Sequence, residues 1–212
     1  MGNERNWAGN LTYRASRVEH PEPIDELRVL LAQGGPVRML GSRHCFNDIA
    51  DTDGVLIALD RLPLVFEANE ARDAVRVGGG LRYGDIAPLL AAEGLALASL
   101  ASLPHISVAG AVATGTHGSG DANPPLSGSV AAVEFVTSDG GTARLARGDD
   151  GFEGAVVSLG AVGLVTRLTL DLVPTFELRQ DRYATLAWGG VLDRIDELFG
   201  AGLGELPRSI RD

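Results

Sequence analysis

By residue type, the side chains able to act as nucleophiles or proton carriers near neutral pH are four histidines, His20, His44, His105 and His117, and a single thiol, Cys45. No His-x-x-x-His pair and no carboxylate at zincin spacing accompanies the histidines, so the expected metal set is none. His44 sits in Gly41-Ser42-Arg43-His44-Cys45-Phe46-Asn47, a loop of turn formers and hydrogen-bonding side chains that follows an apolar segment, where strand-end loops meet ligands. His117 sits in Ala113-Thr114-Gly115-Thr116-His117-Gly118-Ser119-Gly120, a run of small residues whose amides can converge on an anion. Gly78-Gly79-Gly80 is a third place where another group can approach the backbone closely.

All 18 basic residues are arginine. A chain with no lysine has no P-loop lysine and no Schiff-base chemistry, so a bound phosphate is expected to rest on backbone N–H groups and helix N-termini. A Gly-x-Gly-x-x-Gly dinucleotide turn and a Gly-x-Ser-x-Gly nucleophile elbow are both missing.

The elements that must position these loops follow from periodicity. Ile24, Leu27, Leu30 and Leu31 predict a helix over 23–33 that Gly34-Gly35 ends. Val37 to Leu40 and Val55 to Leu59 are short buried strands, and Leu64 to Ala68 with Ala74 to Val77 form a hairpin. Tyr83, Ile86, Ala87, Leu89 and Leu90 make the apolar stripe of a second helix stopped at Gly94. Residues 95–128 have no sustained period, apart from a short helix through Val112 that Ser107 is expected to cap, and this stretch is expected to wrap a ligand. Val130 to Thr137 and Thr142 to Ala146 form a second hairpin, Asp149 to Leu159 a helix, and Leu168, Leu170 and Leu172 a strand with one wet face that Pro174 closes. Beyond it, Phe176 to Tyr183 is read as a strand and Val191 to Phe199 as a helix. The class is α+β.

Composition narrows the partners. With 28 acidic residues against 18 arginines in 212, the net charge is −10, which argues against nucleic acid. Lone Cys45, no apolar run of about 18 residues and no basic-then-apolar leader pattern point to a cytoplasmic protein without a membrane partner. The 28 glycines are nearly double the usual ~7% and imply many tight turns.

Asn6-Trp7-Ala8-Gly9-Asn10, the Gly41 to Asn47 loop, and Ser102-Leu103-Pro104-His105-Ile106-Ser107-Val108-Ala109-Gly110 leading into Ala113-Thr114-Gly115-Thr116-His117-Gly118 resemble the FAD-binding half of bacterial alditol (xylitol) oxidases. These are vanillyl-alcohol-oxidase type flavoproteins with a PCMH-type FAD-binding domain, akin to gulonolactone and arabinonolactone oxidases. The resemblance is colinear from Asn6 to about Pro174, including Val75 to Gly80 and Gly160 to Thr166.

The resemblance implies two α+β subdomains over residues 6–174 with FAD between them, and the start of a substrate domain over 175–212. It places His44 where the family's histidine is covalently joined to the flavin 8α-methyl. Met39, Leu40, Gly41, Ser42, Arg43, Cys45, Ser107, Gly110, Thr114, Gly115, Thr116, His117 and Val165 are implied cofactor contacts, and Ser102 matches a serine near the substrate hydroxyls. Arg43 stands where the family often has glycine and Cys45 where it usually has serine. The implied reaction is hydride transfer from a polyol carbinol to flavin N5 with O2 reduced to hydrogen peroxide. Aldonolactone oxidation is the rival reaction, and a non-catalytic FAD-binding fragment the rival class. Residues 175–212 are too few for a second core. The flavin face is therefore expected to lie open beside an apolar patch of Leu100, Leu103 and Ile106.

Overall fold

The computed structural model describes residues 4–118, 123–178 and 188–196. Strand β1 (Arg17–Glu19) leads to helix α1 (Ile24–Ala32), and β2 (Val37–Leu40) and β3 (Val55–Ala58) complete a parallel sheet of order β1-β3-β2. Asp25 and Glu26 in the first turn of α1 complement its dipole, and Gly34 and Gly35 at φ +73° and +92° end it as predicted. Its apolar face drives Leu27 to full burial against Ile57 of β3 and against Val136 and Leu164 of the larger sheet. One leucine thus helps lock the two subdomains together, a burial of about 2 kcal/mol.

The larger sheet is antiparallel. Strands β4 (Phe66–Ala68) and β5 (Ala74–Gly78) form the predicted hairpin, with Asn69 Oδ1 accepting the Asp73 and Ala74 amides. Helix α2 (Tyr83–Ala92) buries Tyr83, Ile86 and Leu90 and stops before Gly94, at φ +70°. Strand β6 (Leu95–Ala96), helix α3 (Val108–Ala113) and a single 3-10 turn (Leu126–Ser129) follow. Strands β7 (Val130–Val136) and β8 (Thr142–Ala146), helix α4 (Phe152–Val156) and strand β9 (Leu164–Asp171) complete the order β4-β5-β9-β7-β8. The inner face of this sheet, with α2, α3 and α4, forms the main core. Its other face carries a charged ladder. Glu134, buried on interior strand β7, accepts from Arg76 Nε and Nη2 at 2.8 and 2.7 Å and from Arg167 Nη1 at 3.4 Å, while Arg76 also reaches Glu67 at 3.2 Å.

Several expectations are corrected. The helix expected over 149–159 is only α4, because Gly151 takes φ +82° as its N-cap and Val157, at φ −108° and ψ 62°, already leaves the helical region ahead of Leu159 and Gly160 at positive φ. Pro174 does not end the sheet structure: β10 (Val173–Pro174) pairs antiparallel with β6, and the Thr175 amide continues to the Gly94 carbonyl at 2.9 Å. The stretch 95–128 therefore holds a strand as well as the expected short helix. Phe176 to Leu178 are not in a strand, and the rest of the expected strand to Tyr183 lies outside the described residues. The last described helix is α5 (Trp188–Asp193), starting before Val191; residues 197–199 are outside the description. Leu100 and Leu103 are exposed, but Ile106 is half-buried against the main core and does not join them. Among the described residues no helix is long and apolar enough to cross a membrane.

Candidate functional site

Loop 41–47 leaves the carboxyl end of parallel strand β2, the position at which parallel strands present loops to ligands. Across from it stands α3. Between them runs a cleft of about 540 Å³ whose walls include Met39 to Cys45, Gly79, Gly80, Ile106, Ser107, Gly110, Thr114, Thr116 and Val165. Twelve of the residues expected to contact a cofactor thus meet in one cavity, although they come from three separate parts of the chain.

The first loop is held from behind by the Asn6 to Asn10 segment. Buried Asn6 donates its side-chain amide to the Cys45 carbonyl at 3.0 Å, Asn10 donates to the Phe46 carbonyl at 3.0 Å, and the Trp7 amide donates to the Arg43 carbonyl at 2.9 Å. With its carbonyls bound there, the loop keeps its N–H groups uncommitted: no acceptor among the described residues takes the amides of Ser42, Arg43, His44 or Cys45. Arg43 adopts φ +66°, a left-handed conformation of the kind that turns successive amides toward one point in an anion nest. Glycine adopts that conformation without strain, which an arginine does not. The Arg43 guanidinium itself pairs with Glu4 at 3.0 Å.

The second loop behaves differently from the sequence expectation. The amides of Thr114, Gly115 and Thr116 are committed to the Val112 and Ala111 carbonyls, closing the end of α3. Its start is committed too, because Ser107, Val108 and Ala109 donate to Ser42 Oγ, the Leu81 carbonyl and the Gly79 carbonyl at 3.1, 2.8 and 3.4 Å. An anion nest is thus available in loop 42–45, not in 114–116; Ser119 and Gly120 lie outside the described residues. Gly79 and Gly80 serve backbone packing. A Cβ on Gly79 would meet the Val165 carbonyl oxygen at 2.5 Å, and one on Gly80 would overlap the Leu59 carbonyl. Gly115, at φ +63°, and exposed His117 do not line the cleft, and neither does exposed Ser102.

Ser107 begins α3 as expected, but its hydroxyl makes no capping bond. Instead Ser107 Oγ is buried without a hydrogen-bond partner, in a cradle whose other sides are Gly41 and Gly110. A buried hydroxyl left this way costs about 1–3 kcal/mol. A polar ligand reaching into the cradle would offset it, and any side chain at Gly41 or Gly110 would fill it.

His44 is the loop's imidazole. Its Nε2 lies 2.6 Å from Nε2 of His105, and Trp7 stacks on the His44 ring with centroids 4.7 Å apart. Burial, then the nearby His105 charge, pull the His44 pKa below its ordinary value and favour the neutral imidazole, the form with a nucleophilic lone pair. Burial pushes the Cys45 thiol up, so it stays protonated and unreactive. Sequence reasoning assigned no role to His105 or to Asn6, although both lie within the segments that carry the family resemblance. Neither the 61-residue separation of the two histidines nor the amide clamp leaves a periodic signal.

The FAD binding domain family model matches residues 18–146. An alditol oxidase from a Streptomyces species is 51% identical over 189 residues, 88% of this chain and 46% of that protein. An L-gulono-1,4-lactone dehydrogenase of Mycobacterium tuberculosis is 38% identical over 197 residues, covering 91% of this chain and 45% of the relative. The L-gulonolactone oxidase of Mus musculus is 31% identical over 199 residues, with 91% and 45% covered. The chain spans just under half the length of these relatives. Its cleft fits a dinucleotide, with four free amides for phosphate, an orphan hydroxyl and glycines that keep the floor open. The chain belongs to the FAD binding domain family and carries a PCMH-type FAD-binding domain homologous to that of alditol oxidase.

Proposed function

We propose that this domain holds FAD in the cleft between loop 41–47 and α3, joined covalently through His44, and serves an oxidase that removes hydride from a polyol carbinol. The observation that carries the cofactor placement is the Ser107 hydroxyl, buried without a partner between Gly41 and Gly110. The amides of Ser42 to Cys45 hold the pyrophosphate, with Arg38 and Arg82 of the cleft wall as nearby cations. Met39, Leu40, Gly110, Thr114, Thr116 and Val165 complete the contacts. The flavin supplies the acceptor for hydride and passes two electrons to O2, giving hydrogen peroxide, while these residues orient it and exclude water.

Similarity to an alditol oxidase at 51% favours a polyol over an aldonolactone, the substrate class in the names of the 38% and 31% relatives. A second reading, an FAD-binding stretch without turnover of its own, is favoured by Ser102, which lies exposed and outside the cleft. The domain assignment within this reading is FAD binding over 6–174 and the beginning of a substrate-binding part over 175–212.

One experiment tests all of this. The chain is loaded with FAD, precipitated with acid, and assayed in parallel for peroxide with xylitol, sorbitol and a lactone panel. Yellow colour in the pellet that His44→Ala moves to the supernatant supports the linkage; a colourless wild-type pellet overturns it. Peroxide from polyols supports the oxidase reading, peroxide from lactones alone replaces it with the rival reaction, and none from either leaves the FAD-binding reading.

A further inference from the structure

Two imidazole nitrogens 2.6 Å apart must share one proton, because two bare lone pairs repel and two N–H groups collide. His44 Nε2 is therefore fully engaged by His105 Nε2, and no space remains at that nitrogen for a bond to carbon. Among the described residues, His44 Nδ1 has no hydrogen-bond partner. The rings are held in this relation. Trp7 lies against both, with centroids at 4.7 Å from His44 and 6.3 Å from His105 and interplanar angles of 26° and 28°. His105 is pinned in turn by its neighbours, since the Tyr83 amide donates to the Ile106 carbonyl and the Gly84 amide to the Pro104 carbonyl.

We propose that His105 is a positioning residue for flavin attachment: its Nε2 accepts the Nε2–H of His44 and so leaves the His44 Nδ1 lone pair to form the bond. The inference rests on the covalent reading given above. The opposite arrangement, with His105 donating, would put the His44 proton on Nδ1 and leave neither nitrogen free to attack. Attachment makes one N–C bond from His44 Nδ1 to the flavin 8α-carbon. One proton leaves that methyl group and one leaves His44 Nε2, toward His105. The two electrons of the broken C–H bond pass through the flavin to O2, which departs with both protons as hydrogen peroxide. Burial of His44 acts in the same direction, since it disfavours a charged, lone-pair-free ring.

The test follows covalent attachment at saturating FAD in air, starting from apo-chain made in flavin-depleted cells and reading flavin fluorescence of the denatured band. Saturation removes any change in affinity from the rate. His105→Ala is expected to slow attachment about 100-fold, the lower range for losing a positioned proton acceptor. Added imidazole restores much of the rate, and His105→Gln, whose amide oxygen still accepts the hydrogen bond from His44 but cannot take up the proton, falls between the two. In the unliganded wild type, 15N NMR of the ring is expected to show the His44 proton on Nε2. A wild-type chain that attaches flavin while His105→Ala and His105→Gln match its rate overturns this assignment alone, as does a His44 proton found on Nδ1. A wild-type chain that binds FAD but never attaches it overturns the linkage reading, and this assignment with it.

Discussion

A Cβ added to Gly41 would stand 2.7 Å from the Ser107 hydroxyl oxygen. The clash is with the tip of a small side chain, which can rotate away, so Gly41→Ala is expected to fold. It would fill the cradle and turn the hydroxyl out, lowering FAD affinity about 10-fold or more. Gly80→Ala meets the Leu59 backbone instead, which cannot rotate away, and is expected to cost the fold about 3 kcal/mol. Flavin titration beside thermal denaturation separates the two; equal losses of stability would contradict the assignment of Gly41 to the ligand.

Ser107→Ala should move stability and affinity in opposite directions. Removing an unpartnered buried hydroxyl is expected to stabilise the ligand-free chain by about 1 kcal/mol and to weaken FAD about 10-fold. A variant less stable than wild type without FAD would mean that the hydroxyl has a structural partner.

Arg43 at φ +66° carries a conformational cost that glycine does not. Arg43→Gly and Arg43→Ala both lose the exposed pair with Glu4, so the difference between them isolates the backbone. The glycine variant is expected to be more stable by about 1 kcal/mol in urea unfolding. Equal midpoints would show that the loop relaxes out of the left-handed region.

The Arg76 hydrogen bond, aided by both arginine charges and opposed by burial, holds the Glu134 carboxyl below the usual carboxylate range. Its folded pKa lies below the unfolded one, so the unfolded chain binds more protons between them and stability rises with pH there. The Glu134 contribution is present above the ordinary carboxylate pKa and is lost as pH drops through the lowered one. Glu134→Gln is expected to cost about 2 kcal/mol at neutral pH, at the low end for a broken pair because the arginines are about a third exposed. Its stability should also decline less than that of wild type on acidification; parallel acid limbs would remove the ladder from the account.

Local pattern sufficed for much of the scaffold. Val37 to Leu40 is the strand that the apolar run predicts, α1 ends at its glycine pair, and α2 stops before Gly94, because these signals are carried by residues within one or two turns of each other. The helix over 149–159 was overread because Gly151 and Gly160 act through backbone dihedral angles, which periodicity does not report. Strands β6 and β10 are two residues each and exist only through each other, so neither has a pattern of its own.

The site divides in the same way. Order along the chain and residue type were enough to identify an FAD-binding family and to point at His44, Ser107 and the two glycine-bearing loops, since those are properties of short colinear segments. Which amides remain free for phosphate was decided by the folded backbone: Asn6, Trp7 and Asn10 hold the outer side of loop 41–47 from far along the chain, Leu81 and Gly79 take the amides of Val108 and Ala109 at the start of α3, and the end of α3 takes those of Thr114 to Thr116. The approach of His105 to His44 is likewise a product of packing. A proton shared by two side chains 61 residues apart is set by where two loops come to rest, and nothing local in either segment encodes that distance.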